Sequence, residues 1–195
     1  MEQTTARIAR AAGVPPAMLL AIAFAESGGN GYYADGQMKR RFEGHVFKRT
    51  LPKYGFSPQQ IAQLQASNPD LLYDNWREHP GTSGAAEIAR YNRAAAINLP
   101  AAIEATGWGF FGMQGFLYQM LGLASPQAFL AQISKGYEAQ LKLYLEFLRK
   151  RGIVPFMKTN PPNFLEITRR QTGSPLPVYA QRLEQKYNEW KSKGY

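Results

Sequence analysis

The sequence contains no cysteine, and this absence excludes several kinds of site at once. No disulfide can staple the fold, and no thiolate can act as a nucleophile or as a metal ligand. Histidine is almost as scarce, because His45 and His79 are the only two. Two histidines are too few for a histidine-based zinc site without several carboxylates in support. We therefore expect no metal site.

Long apolar runs are also missing. No stretch of about eighteen uncharged apolar residues occurs, so the sequence predicts no membrane span. Residues 1–13 are charged and helix-prone without an apolar segment, so we expect no cleavable secretory signal and synthesis in the cytoplasm. The 195 residues are 45% apolar and show no repeat, low-complexity tract or long linker. This composition is typical of one globular domain with a proper core.

Acidic residues are outnumbered by basic ones, and the net charge is +9. Most of this excess lies in residues 135–195, where twelve lysines and arginines face five glutamates. Such an asymmetry indicates an anionic partner, for which nucleic acid, lipid headgroups and acidic cell-wall polymers all qualify. Alternatively, the basic residues form a solvated face that only aids solubility.

Helical patterns dominate the chain. A buried helix is predicted to begin at Pro15 or Pro16 and to end at Gly28–Gly29, because proline suits a first turn and glycine ends helices. Residues 57–67 and 136–151 give two further clear helices. No segment alternates with a sustained period of two. The predicted fold class is mostly α, with at most a small β-hairpin near residues 31–42.

Glu26 is an unusual acid, because it follows an apolar helix segment. Residues 18–25 carry no charge, and Leu19, Ile22 and Ala23 share the helix face of Glu26. Burial on such a face and the negative end of the helix dipole both raise the pKa of a carboxyl group. A carboxylic acid that keeps its proton near neutral pH is what a general acid in glycosidic bond cleavage requires. Alternatively, Glu26 is only the first exposed residue of a helix end.

Three blocks of sequence carry a resemblance to a known family. They read "AESGGNGYYADGQMKRRFEGHVF", "EIARYNRAAAINLPAAIEATGWGFFGMQG" and "FLEITRRQTGSPLPVYAQRLEQKY", and in this order they span nearly the whole chain. The first contains a glutamate followed by Ser-Gly-Gly, then Asp-Gly, then Phe-Glu-x-His-x-Phe. In these blocks the chain resembles the N-acetylmuramidase family of phage endolysins and related antibacterial lysozymes.

The resemblance implies a lysozyme-like α-fold that hydrolyses the bond between N-acetylmuramic acid and N-acetylglucosamine in peptidoglycan. We accordingly expect residues 1–195 to form a single catalytic domain with no separate wall-binding domain. We further expect a monomer that needs no cofactor. Its partners would be peptidoglycan glycan strands and, through residues 135–195, anionic polymers of the cell envelope. It would act in the periplasm or cell wall after release or delivery.

The chain departs from the family pattern at two places on the expected substrate side. Where the family has Phe-Gln-Ile-Met-Gly, this chain places its glutamine later, as Gln114. Where the family has Tyr-Asn-Gly, this chain has Gln171 in place of the tyrosine. By the resemblance, Ser27, Gln114 and Gln171 are candidates for substrate binding.

Two residues are candidates for a second catalytic acid. Glu43 lies in the "RFEGH" segment that matches the family, and Asp35 is the weaker candidate. Either can activate water or stabilise an oxocarbenium-like transition state. Alternatively, Asp35 only makes a turn with Gly36, and Glu43 pairs with Arg40, Arg41 or His45. The stereochemical outcome depends on a carboxyl separation that the sequence does not give.

Aromatic residues among glycines form a further candidate feature. Trp108 and Phe110 either bind the faces of sugar rings as a platform or pack in the core. The neighbouring glycines, which allow a ligand to approach the backbone closely, favour the first role.

Three other functions remain open alongside hydrolysis. The altered glutamine and tyrosine blocks suit a lysozyme-like domain that binds cell wall but has lost turnover. A lytic transglycosylase would cleave the same bond without adding water. Charge alone suggests a helical nucleic-acid-binding domain, but the sequence has no recognition-helix motif, so we expect no nucleic-acid partner.

Overall fold

A computed structural model describes residues 1–195 and contains eleven α-helices and three short β-strands. The prediction of a mostly α fold is confirmed. The helices are α1 (Glu2–Ala11), α2 (Pro16–Ser27), α3 (Gly44–Thr50), α4 (Pro58–Ser67), α5 (Gly84–Ile97), α6 (Leu99–Glu104), α7 (Pro126–Ile133), α8 (Tyr137–Lys150), α9 (Val154–Met157), α10 (Phe164–Thr172) and α11 (Pro177–Ser192). The strands are β1 (Arg40–Phe42), β2 (Thr106–Trp108) and β3 (Met113–Gln114). No helix of the structure is long and apolar enough to cross a membrane.

The three strands form one antiparallel sheet in the order β1-β2-β3. Arg40 lies opposite Trp108, and Gly107 lies opposite Gln114. The prediction of at most a small hairpin near residues 31–42 understated this sheet. That segment supplies β1 and an isolated bridge between Tyr32 and Met38, but β2 and β3 come from the glycine-rich segment after α6.

Helix α2 is the apolar helix that the sequence predicts, and its ends agree with the prediction. Pro16 occupies the first turn, and Gly28 ends the helix in the left-handed conformation at φ 67°. Residues 17–23 are almost completely buried. Because every face of this helix is apolar, it is stable only when other elements surround it.

The chain divides into two compact units, of which unit 1 comprises residues 1–31 and 133–195. In unit 1, α2 packs against α1 and α11, and α11 also packs against α10. The rings of Phe24 and Trp190 meet at a centroid distance of 4.9 Å and join α2 to the C-terminal end of α11. The two ends of the chain thus build one core.

Unit 2 comprises residues 32–132 and contains the sheet and helices α3 to α6. Its loop between α4 and α5 is fixed by a buried ion pair, in which Nη1 of Arg90 lies 2.9 Å from Oε2 of Glu87. The same carboxylate accepts hydrogen bonds from the backbone of Phe42 and from Thr82. Arg90 also donates to the carbonyl oxygen of Asp70 at 2.7 Å. Because the Glu87–Arg90 pair is hydrogen-bonded to the loop and to Phe42, it fixes the loop to α5 and β1.

Candidate functional site

Glu26 lies in the last turn of α2, in unit 1, with its side chain reaching solvent. The residues beneath it on the same helix face, Leu19, Ile22 and Ala23, are completely buried, as the apolar pattern predicts. Gly28 and Gly29 then turn the chain away with positive φ values. The glutamate therefore emerges at the boundary between an apolar core and solvent.

Two side chains of unit 1 converge on one oxygen of Glu26. The hydroxyl of Tyr179, in the first turn of α11, donates to Oε1. Nε2 of Gln171, near the end of α10, donates to the same Oε1 at 3.3 Å and to the Tyr179 hydroxyl at 3.1 Å. Because Gln171 donates to the phenol oxygen, the phenol proton is directed to Glu26. The three side chains form a closed triangle of hydrogen bonds.

The surroundings raise the pKa of Glu26 above its ordinary value. Desolvation by the closely packed protein atoms is the largest cause, although part of the side chain still reaches solvent. The Tyr179 hydrogen bond and the charge of Arg182 lower the pKa, but their effect is smaller. Glu26 is thus biased toward the protonated form that general acid catalysis needs.

Sequence reasoning missed two tyrosines of this site. Burial raises the pKa of Tyr179 and of Tyr144 well above the ordinary value, and the negative charge of Glu26 raises both further. Tyr144 is a buried residue of α8. Tyr179 lies in the third of the three sequence blocks that carry the family resemblance. The signal that could have identified Tyr179 is its position in the same sequence block as Gln171.

Ser27 follows Glu26 directly, but its hydroxyl contacts its own helix. Its Oγ donates to the carbonyl oxygen of Ala23 at 2.8 Å. A serine bonded in this way at a helix end satisfies a backbone carbonyl. The observed role of Ser27 is therefore at the end of α2, and binding of substrate by this residue stays a prediction.

Glu43 lies in unit 2 immediately before α3, and only 9% of its surface is exposed. Nε of Arg41 lies 2.6 Å from its Oε1, so the ion pair left open in the sequence is present. Nδ1 of His45 lies 3.6 Å from Oε2, and neither of these two atoms has a hydrogen-bond partner. Arg41 therefore holds one carboxylate oxygen while the other is not hydrogen-bonded.

Asp35 lies in an exposed turn of unit 2. Its Oδ1 accepts from the backbone nitrogen of Gln37 at 3.0 Å, and its Oδ2 accepts from Nε2 of Gln37 at 2.9 Å. Gly36 follows with φ 80°, the left-handed conformation that such a turn needs. Both carboxylate oxygens of Asp35 are engaged in the turn.

The structure places Trp108 and Phe110 in the core of unit 2, where they are 2% and 7% exposed. The indole nitrogen of Trp108 donates to the carbonyl oxygen of Ile103 at 3.3 Å, and its ring meets Tyr91 edge-on at 5.1 Å. Phe110 meets Tyr32 edge-on at 5.7 Å. Packing, one of the two roles left open by the sequence, is therefore what these rings do here.

Gln114 lies on β3 beside Gly107 of β2. A Cβ added at Gly107 would lie 3.0 Å from the carbonyl oxygen of Gly112 and 3.1 Å from Nε2 of Gln114, so the space beside this glycine is tight. Oε1 of Gln114 is buried without a hydrogen-bond partner. No group of three or more histidines or carboxylates is placed to hold a metal ion.

The basic residues of the C-terminal third are mostly exposed, with some engaged in structure. Nε of Arg151 donates to the carbonyl oxygen of Arg170 at 3.0 Å, and Arg170 contacts Glu166 at 2.6 Å. Nine others are exposed: Lys135, Lys142, Arg149, Lys150, Lys158, Arg169, Arg182, Lys191 and Lys193. Four of these, Lys142, Arg149, Lys150 and Arg169, pair with glutamates of their own helices. The expected positive surface is present, but Arg151 and Arg170 join α8 to α10.

The mostly helical fold with its small antiparallel sheet is consistent with the lysozyme-like class. A model of the N-acetylmuramidase family matches residues 15–191 and thus runs through both compact units. The chain belongs to the N-acetylmuramidase family, and its function is peptidoglycan hydrolysis.

A solved structure supports the same fold. The crystal structure of the endolysin of Burkholderia phage AP3 superposes with a TM-score of 0.80 at 23% sequence identity. The alignment covers 98% of this chain and 71% of the endolysin chain. No curated protein sequence matches.

Proposed function

We propose that this muramidase cleaves the bond between N-acetylmuramic acid and N-acetylglucosamine with Glu26 as its general acid. The observation that carries the proposal is the position of Glu26 at the end of a buried apolar helix with two donors on its Oε1, where desolvation raises its pKa. A glycosidic oxygen is a poor leaving group until it is protonated, so an acid that retains its proton near neutral pH supplies what the reaction lacks.

The hydrogen bonds to Glu26 indicate which of its oxygens delivers the proton. Tyr179 and Gln171 both donate to Oε1, which therefore serves as an acceptor. The transferable proton then resides on Oε2. On this proposal, Tyr179 and Gln171 are positioning residues, because they fix the orientation of the carboxyl group and touch no reacting atom. After proton transfer, both donors stabilise the carboxylate that is formed.

We further propose that Glu43 is the second carboxylate of the reaction. Its support is that Oε2 of Glu43 is not hydrogen-bonded while Arg41 holds Oε1. Such a carboxylate can stabilise an oxocarbenium-like transition state or activate the attacking water. One water is consumed. Its hydroxyl joins the sugar carbon of the broken bond, and its remaining proton replaces the one that Glu26 gave to the leaving oxygen.

Mass spectrometry of digested peptidoglycan tests the reaction type. Wild-type protein should release muropeptides that end in reducing N-acetylmuramic acid. Muropeptides with anhydro ends would show that the reaction is transglycosylation and not hydrolysis. Sedimentation of the protein with walls, without release of any fragment, would make it a binding domain that has lost turnover.

We also propose that the exposed basic residues of the C-terminal third bring the enzyme to its substrate. The cell envelope carries carboxylates and phosphates, and the exposed cations of residues 135–195 complement them. Peptidoglycan lies in the periplasm or cell wall, so the enzyme would act there.

A further inference from the structure

A groove in unit 2 has the features of a second binding site. Helix α3 directs His45, Lys48 and Arg49 toward it, at the spacing of one helix face, and α4 directs Ile61 and Ala62 from the other side. The cavity has a volume of about 490 Å³. This size is within the range of small-ligand sites.

The cations of the groove leave one positive charge uncompensated. Nζ of Lys48 lies 2.6 Å from Oδ1 of Asp74, so these two residues neutralise each other at the rim. Desolvation is the largest cause that lowers the pKa of His45. The charge of Glu43 opposes it, but the charges of Arg49 and Arg41 lower the pKa as well, and the net shift favours the neutral imidazole. Arg49 is exposed and makes no ion pair. Its guanidinium fits a carboxylate, which it binds with two parallel hydrogen bonds.

Apart from Gln65, the remaining walls of the groove are mostly apolar. Pro52, Pro58, Ile61 and Ala62 line it together with the ring of Tyr73. Small apolar groups of a ligand can contact this surface without burying polar groups that lack a hydrogen-bond partner. The groove therefore fits a ligand that combines small apolar groups with a carboxylate.

The groove adjoins Glu43, because Nδ1 of His45 lies 3.6 Å from Oε2 of Glu43. In peptidoglycan, a short peptide stem with alanines and free carboxylates is attached to N-acetylmuramic acid, next to the glycan bond. We infer that this groove binds the peptide stem, with Arg49 holding a stem carboxylate. The inference rests on the proposed function, since it extends the substrate from the glycan to its peptide.

Titration of the 15N-labelled protein with an isolated tetrapeptide stem tests this inference without any turnover. Backbone resonances of α3 and α4 should shift, and Arg49→Gln should weaken the affinity by about fivefold, the factor expected of one partly exposed ion pair. Amidation of the stem carboxylates should weaken it by a similar factor. The matched control is Arg77→Gln, an exposed arginine of the same unit that does not line the groove, which should bind as wild type does.

Three results would overturn the inference: no shifts in α3 and α4, equal affinity of wild type and Arg49→Gln, or equal affinity for the amidated stem. Stronger binding of glycerol phosphate than of the stem at the same resonances would assign the groove to a phosphate polymer instead. Release of fragments from purified peptidoglycan, measured separately, reports on the proposed hydrolysis alone.

Discussion

The hydroxyl of Tyr179 donates a hydrogen bond to Oε1 of Glu26, a residue 153 positions earlier in the chain. Desolvation raises the pKa of Glu26, and this hydrogen bond counteracts part of the rise. The tyrosine therefore orients the proposed acid and lowers the pH at which it loses its proton.

The first prediction is that Tyr179→Phe moves the alkaline limb of the pH–activity profile to higher pH. Loss of the hydroxyl removes a contact that lowers the pKa of Glu26, so the variant keeps its proton to a higher pH. At the optimum, activity should fall by about tenfold, because the carboxyl group loses a hydrogen bond that orients it. The profile is measured as the rate of peptidoglycan solubilisation.

Tyr187→Phe provides the matched control for this variant. Tyr187 lies on the same helix, and its ring packs against Phe164 at 5.6 Å. Its profile should coincide with that of wild type. An alkaline limb of Tyr179→Phe that stays in place, or moves to lower pH, would contradict the proposed role of the hydroxyl.

The second prediction is that Glu26→Gln loses about 100- to 10,000-fold in wall hydrolysis, the usual contribution of a general acid. Glutamine is nearly isosteric and still accepts hydrogen bonds from Tyr179 and Gln171, so the fold is kept. The rate is measured as clearance of permeabilised Gram-negative cells. Glu184→Gln, an exposed position on α11, should clear at the wild-type rate.

Thermal melting of Glu26→Gln checks its fold and the sign of the pKa shift together. A carboxyl group with a raised pKa in the folded protein stabilises the fold at low pH and loses this contribution as the pH rises through that pKa. Glutamine does not titrate. The variant should therefore melt at or above the wild-type temperature at neutral pH, and the difference should decrease toward pH 4. A well-folded variant that clears cells at near wild-type rate would remove Glu26 from the mechanism.

The third prediction separates two roles of Gln171. If Gln171 positions the acid, Gln171→Met should lower kcat by about fivefold and leave KM unchanged, because one hydrogen-bond donor to Glu26 and Tyr179 is lost. A raised KM with unchanged kcat would instead make Gln171 a substrate-binding residue. Gln181→Met, an exposed position on α11, is the control. Soluble muropeptide oligomers serve as the substrate.

The fourth prediction concerns the second carboxylate. Glu43→Gln should lose more than about tenfold in activity. Asp35→Asn should stay near wild type, because Asp35 is already engaged by Gln37 and asparagine suits the same turn. Parallel rates on purified walls decide between them. If only Asp35→Asn is inactive, the two roles are reversed.

The fifth prediction is that reversing Arg149, Lys150, Lys191 and Lys193 to glutamate weakens wall binding and flattens its salt dependence. All four are exposed, and exposed charges are screened over about 8 Å at physiological ionic strength. Arg151 is left unchanged because it holds α8 to α10. Cosedimentation with walls across a salt series measures the effect.

Two double variants that change the net charge by the same amount separate the position of the charges from their number. The double reversal of Lys191 and Lys193 is compared with that of Lys39 and Arg77, which lie in unit 2. Only the first should lower wall binding. Wall binding by the fourfold variant that equals wild type at low salt would reduce the basic surface to a solubility feature.

The sequence predicted the parts of this protein whose signals are local. Helix α2 is apolar throughout, begins at a proline and ends at two glycines, so its bounds and the position of Glu26 could be predicted. The cap of α4 is equally local, because Ser57 and Gln60 form a capping box three residues apart. Such signals depend only on neighbours along the chain.

The parts that depend on distant residues could not be predicted in the same way. The strands are two or three residues long, so they show no alternation, and Arg40 pairs with Trp108 far along the chain. The hydrogen bond from Tyr179 to Glu26 has no local signal either. The core position of Trp108 depends on packing against Tyr91, which its glycine neighbours do not indicate.

The glycine after the acid also has a role that the sequence alone did not indicate. A Cβ at Gly29 would lie 2.5 Å from the ring of Phe24, so this glycine makes room for the chain itself. Phe24 in turn packs against Trp190, near the end of α11.

This packing has a consequence for the timing of synthesis. Glu26 leaves the ribosome before its partners, because Gln171 follows it by 145 residues and Tyr179 and Trp190 come later still. A nascent chain therefore contains the carboxylic acid without its hydrogen-bond donors and without the aromatic ring that anchors α11. Assembly of the acid site thus waits for the C-terminal helix, and a protein cut off before that helix would retain Glu26 without the contacts that orient it.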